Sequence, residues 1–83
     1  MSLEEDIQAH KSRLNQLETD LVGQELRADK IRKDLQAQLS SLRKARDLSP
    51  EAIGEIALRL VGELTIIQEK VAEAAAIRRA LGK

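Results

Sequence analysis

The chain has 83 residues, enough for one small domain near the limit of independent stability. It contains no Phe, Tyr, Trp or Cys, one Pro and four Gly, while 34% of its residues are charged and 42% hydrophobic. This composition excludes a disulfide framework or thiolate site, makes a β-fold improbable, and matches a coiled coil or long helix. Fourteen basic residues balance fourteen acidic ones, so no global electrostatic pull toward nucleic acid or anionic membrane is expected.

The N-terminus opens with Met-Ser-Leu-Glu-Glu-Asp, which is acidic and polar and does not read as a signal peptide. Ser2 and Glu5 are spaced as a capping box, which satisfies orphan N–H groups on a first helical turn. From there a 4-3 alternation runs through Leu3, Ile7, His10, Leu14, Leu17, Leu21, Gln24, Ala28, Ile31, Leu35, Gln38, Leu42 and Ala45. Alternation sustained this long predicts a coiled-coil helix over about 3–47. Three of its seam positions are polar: His10, Gln24 and Gln38. A polar residue inside a seam fixes register at a cost in stability. Gly23 beside the weakest stretch predicts a soft spot or bend at 22–28, since Gly costs about 1 kcal/mol relative to Ala in a helix interior.

Asp47-Leu48-Ser49-Pro50-Glu51 carries the sharpest local signal in the chain. Ser49 reads as an N-cap, Pro50 as the first helical residue and Glu51 as a first-turn acid. Pro50 also disfavours helical geometry at Ser49, so the expected turn lies at 48–49. The cations Arg43, Lys44 and Arg46 then close the first helix, where they complement its negative dipole end.

A second helix follows over about 50–81, ended by Gly82, with a seam of Ile53, Ile56, Ala57, Leu60, Leu64, Ile67, Val71, Ala74, Ile77 and Leu81. Leu58, Val61 and Ile66 widen its apolar arc, the pattern of a helix covered on more than one side. The longest apolar stretch, 56–67, is interrupted by Arg59 and Glu63, so no membrane span is expected and a cytoplasmic location is the default.

The expected fold is all-α: a single domain over 1–83 forming a long antiparallel, coiled-coil-like helical hairpin that dimerises into a four-helix bundle. A first helix of roughly 67 Å and a second of roughly 48 Å, at about 1.5 Å per residue, leave an overhang that places Leu3, Ile7, His10 and Leu14 beyond the end of the second helix. The residues expected at the interface between chains are Leu3, Ile7, Leu14, Leu17, Leu21, Ile56, Leu60, Leu64, Ile67 and Val71. Partners are a second copy, with a dimer favoured, or another helical protein.

A search for chemistry finds little. Acidic pairs such as Glu51/Glu55 and Glu69/Glu73 are spaced like ordinary solvated helix charges, with no Glu-x-x-His metal spacing and no glycine-rich phosphate loop. No enzyme activity, metal or cofactor is expected. The function expected is a non-enzymatic protein–protein interaction module, either a self-assembling scaffold or a small adaptor or chaperone. The alternative is a nucleic-acid-binding hairpin dimer using Arg43, Lys44 and Arg46, against which stands the lack of aromatic residues for stacking on bases. Asp29/Lys33 and Glu55/Arg59 are spaced for intrahelical ion pairs.

Overall fold

A computed structural model describes residues 3–82. Two long helices, α1 (Leu3–Gln38) and α2 (Pro50–Ala80), run antiparallel and are joined by residues 39–49, which include a single 3-10 turn at Ala45–Asp47. The molecule is a rod of 64 × 18 × 15 Å. There is no strand among the described residues, and no helix is long and apolar enough to cross a membrane.

The first turn of α1 carries Glu4, Glu5 and Asp6, whose negative charge suits the positive end of the helix dipole. Ser2, the other half of the expected capping box, lies outside the described residues. The helix continues without interruption through 22–28, where a soft spot is expected from Gly23. Gln24 and Ala28 are both buried there, so contacts with the second helix hold the segment that Gly23 weakens.

α1 ends at Gln38, nine residues short of the expected boundary at 47. Ser40, just beyond it, explains the stop. Serine hydroxyls compete with the helical ladder for backbone groups. Ser40 Oγ accepts the Leu42 N–H at 3.2 Å, and the Ser40 carbonyl accepts the Arg43 N–H at 3.0 Å. Arg43, Lys44 and Arg46 therefore lie on the connection and not in the last turn of α1, which holds no basic residue. Their expected role at the dipole end does not apply.

α2 starts as its sequence dictates. Ser49 is extended, its hydroxyl accepts the Ala52 N–H at 3.2 Å, and Pro50 occupies the first turn with Glu51 beside it. At the other end Arg78 and Arg79 sit in the last turn, Leu81 N–H donates to the Ile77 carbonyl, and Gly82 turns the chain with φ 77°. That left-handed conformation carries no Cβ penalty in glycine.

The longer connection shifts the hairpin register. Leu14 and Leu81 pack together against a core of Leu17, Ala74 and Ile77, so α2 reaches further along α1 than a turn at 48–49 would allow. Leu14 is thus covered within the chain, whereas the expected overhang left it bare. Leu3, Ile7 and His10 are exposed. The core sits at the open end of the hairpin, away from the connection, and Leu17 is its one fully buried large side chain.

Ion pairs join the two helices, three of them in antiparallel order and Arg78–Glu18 out of it. Arg13 meets Glu73 through two bonds of 2.6 and 3.0 Å, Lys70 Nζ meets Asp20 at 3.3 Å, and Arg27 Nε lies 3.8 Å from Glu63. Arg78 Nη2 reaches Glu18 at 3.1 Å. The hydrogen bonds from Arg13 hold the Glu73 carboxyl below its ordinary pKa, and the bond to Glu73 raises Arg13 in turn. Asp29 pairs with Arg32 at 3.2 Å, one residue earlier than the expected partner Lys33.

Candidate interaction surface

The middle of the seam holds a polar cluster. Gln24 is the one buried polar side chain among the described residues. Its Nε2 donates to Glu63 Oε2, while its Oε1 accepts from Arg27 Nη2 at 2.6 Å. No buried side-chain N or O atom among the described residues lacks a partner. Gln38, the third polar seam position, is half-buried and accepts from Arg43 Nη1 at 2.8 Å.

The expected interface residues divide into three groups. Leu17 is fully buried inside the hairpin, so it serves the chain's own core and presents no surface to a partner. Leu14, Leu21, Ile56, Leu60 and Ile67 are half-buried along the helix–helix seam. Leu3, Ile7, Leu64 and Val71 are exposed. Arg43, Lys44 and Arg46 are all exposed on the connection.

Exposed apolar surface is extensive beyond these. Val22, Leu26, Leu39, Leu42, Leu58, Val61 and Ile66 also face solvent, Leu42 at 94% exposure. On α2 part of the exposed and half-buried apolar surface forms a second stripe beside the one that packs on α1, interrupted by the polar Gln68 and with Leu58 and Ile66 outside it. It runs Ala57, Val61, Leu64, Gln68, Val71, Ala75, again in 4-3 spacing. Sequence reasoning registered the width of the α2 face but not this second heptad. The signal is present in the spacing itself, because an α2 with a single partner needs only one such stripe.

Between the helices this side opens as a groove of about 320 Å³. Leu60, Leu64 and Ile67 of α2 and Ala28 of α1 supply its apolar lining, and Glu25, Asp29 and Arg32 of α1 its charged wall. The groove is an apolar strip edged with charge. No set of His, Asp and Glu among the described residues is placed to hold a metal ion.

The chain matches no protein-family model, and comparisons with curated proteins and with solved structures find no significant match. The functional reading rests on the residues and their placement.

Proposed function

We propose that the chain is a non-enzymatic helical interaction module, a self-assembling scaffold or small adaptor or chaperone, whose apolar surface is covered by another protein chain, a second copy in the simplest case. The observation that carries this reading is the mismatch between core and surface. Among the described residues only Leu17, Ala28, Ala74 and Ile77 are buried hydrophobics, while Leu58, Val61, Leu64, Ile66 and Val71 all face solvent along α2 alone.

Magnitudes decide what the mismatch means. Full burial of a Leu, Ile or Val contributes about 1.5–3 kcal/mol, whereas fixing the backbone costs about 1–2 kcal/mol for every residue ordered. A hairpin with one fully buried large side chain gains too little from its own core and most from covering the exposed face. Large exposed apolar patches are also where proteins associate.

Sedimentation equilibrium across micromolar concentrations tests the reading, with refractive-index detection because the chain has no Trp or Tyr. A dimer or higher assembly is expected. Changing Leu60 and Leu64 together to Glu should abolish it, and a double variant that stays assembled would remove the α2 face from the reading.

A second reading rests on Arg43, Lys44 and Arg46, three exposed cations on one short connection. Such a cluster suits a nucleic-acid backbone, and reversing the three charges would then remove salt-sensitive binding while leaving assembly intact. An absence of binding by the wild-type chain at low salt would eliminate this reading.

A further inference from the structure

The second stripe of α2 reads nearly the same from either end. Ala57, Val61 and Leu64 are followed by Gln68, Val71 and Ala75, and the spacing between successive members is symmetric about a point between Leu64 and Gln68. It covers about 27 Å of helix at about 1.5 Å per residue. We propose that this stripe is a homodimer contact in which α2 packs antiparallel on α2 of a second copy, about a two-fold axis that passes beside Thr65. The proposal rests on the interaction-module reading and specifies its partner and surface.

A two-fold contact is self-complementary: whatever one copy presents, the other must receive. About the proposed axis, Ala57 faces Ala75 of the second copy, Val61 faces Val71, and Leu64 faces Gln68. Small residues therefore meet at both ends, β-branched residues meet inside them, and the largest side chains meet at the centre. In the free hairpin Val61, Leu64 and Val71 are 57%, 43% and 49% exposed, so all three have area left to bury.

The border of the stripe follows nearly the same symmetry, its centre at Thr65 lying one residue, about 1.5 Å along the helix, from the centre of the stripe. Glu51, Leu58, Thr65, Ala72 and Arg79 follow one another at heptad spacing along its outer edge. The two-fold sets Glu51 against Arg79 of the second copy at both ends, Leu58 over Ala72, and Thr65 beside its own counterpart. Leu58, 74% exposed in the hairpin, gains a cover. A parallel pairing does worse on both counts. It sets Gln68 against Gln68 and leaves Glu51 and Arg79 about 40 Å apart along the axis, at about 1.5 Å per residue.

The flank of α1 limits how the copies approach. Glu25, Asp29 and Arg32 form the charged wall of the groove next to Leu60 and Leu64. Burying them face to face would strip charges of water without matched partners. The contact therefore centres on α2, with the two α2 helices inside and the two α1 helices outside.

Distance measurement between spin labels tests the arrangement, and the absence of native cysteine makes single-site labelling direct. Thr65→Cys and Glu55→Cys both place the label at exposed positions. Labels at 65 should lie within about 20 Å of each other, since packed helices are 8–10 Å apart. Labels at 55 should be about 33 Å apart along the axis, from about 1.5 Å per residue on either side of the two-fold. Short distances at both sites mean a parallel pair, and long distances at both mean another face. Either outcome overturns this arrangement while the interaction-module reading stands. A cooperatively folded monomer at hundreds of micromolar overturns both. As an independent arm, Leu64→Glu should weaken dimerisation by about tenfold or more, the loss typical of a central interface residue. Val22→Glu, on the exposed back of α1, should leave dimerisation unchanged. A Leu64→Glu chain that dimerises like the wild type overturns the proposal.

Discussion

The side-chain amide of Gln24 on α1 donates to the carboxylate of Glu63 on α2, joining the two helices at the one buried polar side chain among the described residues. Arg27 closes the cluster by donating to the Gln24 carbonyl oxygen at 2.6 Å. Such a cluster is tolerable only because every member is satisfied. Glu63→Ala should therefore cost about 1–3 kcal/mol, the penalty for leaving a buried donor without its acceptor. Replacing both groups by Leu should recover most of that loss, because two apolar side chains at facing positions need no partner. Urea denaturation followed by circular dichroism at a fixed protein concentration measures both variants. A double variant as unstable as the single one would show that Glu63 acts through something other than Gln24.

Leu17 is the centre of the hairpin core, with Ala74 and Ile77 packed around it. Leu17→Ala leaves a cavity that two helices joined at one end close only in part. The expected loss is about 2–5 kcal/mol, which for so small a core should leave the chain largely unfolded at ordinary temperature. Leu42→Ala is the matched control, since Leu42 is 94% exposed and should change the urea midpoint very little. Equal effects of the two would mean that burial in the hairpin does not govern its stability.

Some of this was legible in the residues and some was not, for identifiable reasons. The start of α2 follows from Ser49, Pro50 and Glu51, because a cap, a locked φ and a first-turn acid are local effects that tertiary contacts rarely overrule. The end of α1 is not legible because Leu35 and Leu42 keep heptad spacing, and this apolar periodicity masks the competing hydroxyl of Ser40. The cross-helix pairs Arg13–Glu73 and Asp20–Lys70 depend on register, and register follows from the length of the connection. With the turn placed at 48–49 these partners could not be aligned. The second α2 stripe was visible as width but not as order, since a broad face fits both a deeper core and a second contact.

The Arg13–Glu73 pair gives the hairpin a defined acid sensitivity. Glu73 binds its proton less readily in the folded chain because Arg13 donates two hydrogen bonds to its carboxylate. Its contribution is therefore complete above the ordinary carboxyl value of 4.5 and is lost as pH falls through the lowered folded-state value. Arg13 stays charged throughout, as its own pKa is raised. The urea midpoint of the wild type should fall below pH 4.5, and Glu73→Gln should show a shallower fall together with a lower midpoint at neutral pH. Parallel acid profiles for the two chains would mean that this pair does not couple protonation to folding.

The cap at Ser49 fixes where α2 begins. Its hydroxyl accepts the Ala52 N–H, one of the four donors that the first turn of a helix leaves unpaired. Ser49→Ala should cost about 1 kcal/mol and Ser49→Asp almost nothing, since a carboxylate caps the same donor and suits the helix dipole. Amide hydrogen exchange gives a local readout that global unfolding would blur. Ser49→Ala should speed exchange at Ala52 and its neighbours in the first turn of α2 while leaving the amides around Ile77 unchanged. Uniform acceleration along α2 would instead mean that the cap's effect reaches the core at Leu17, and that the helix behaves as one cooperative unit from Pro50 to Ala80.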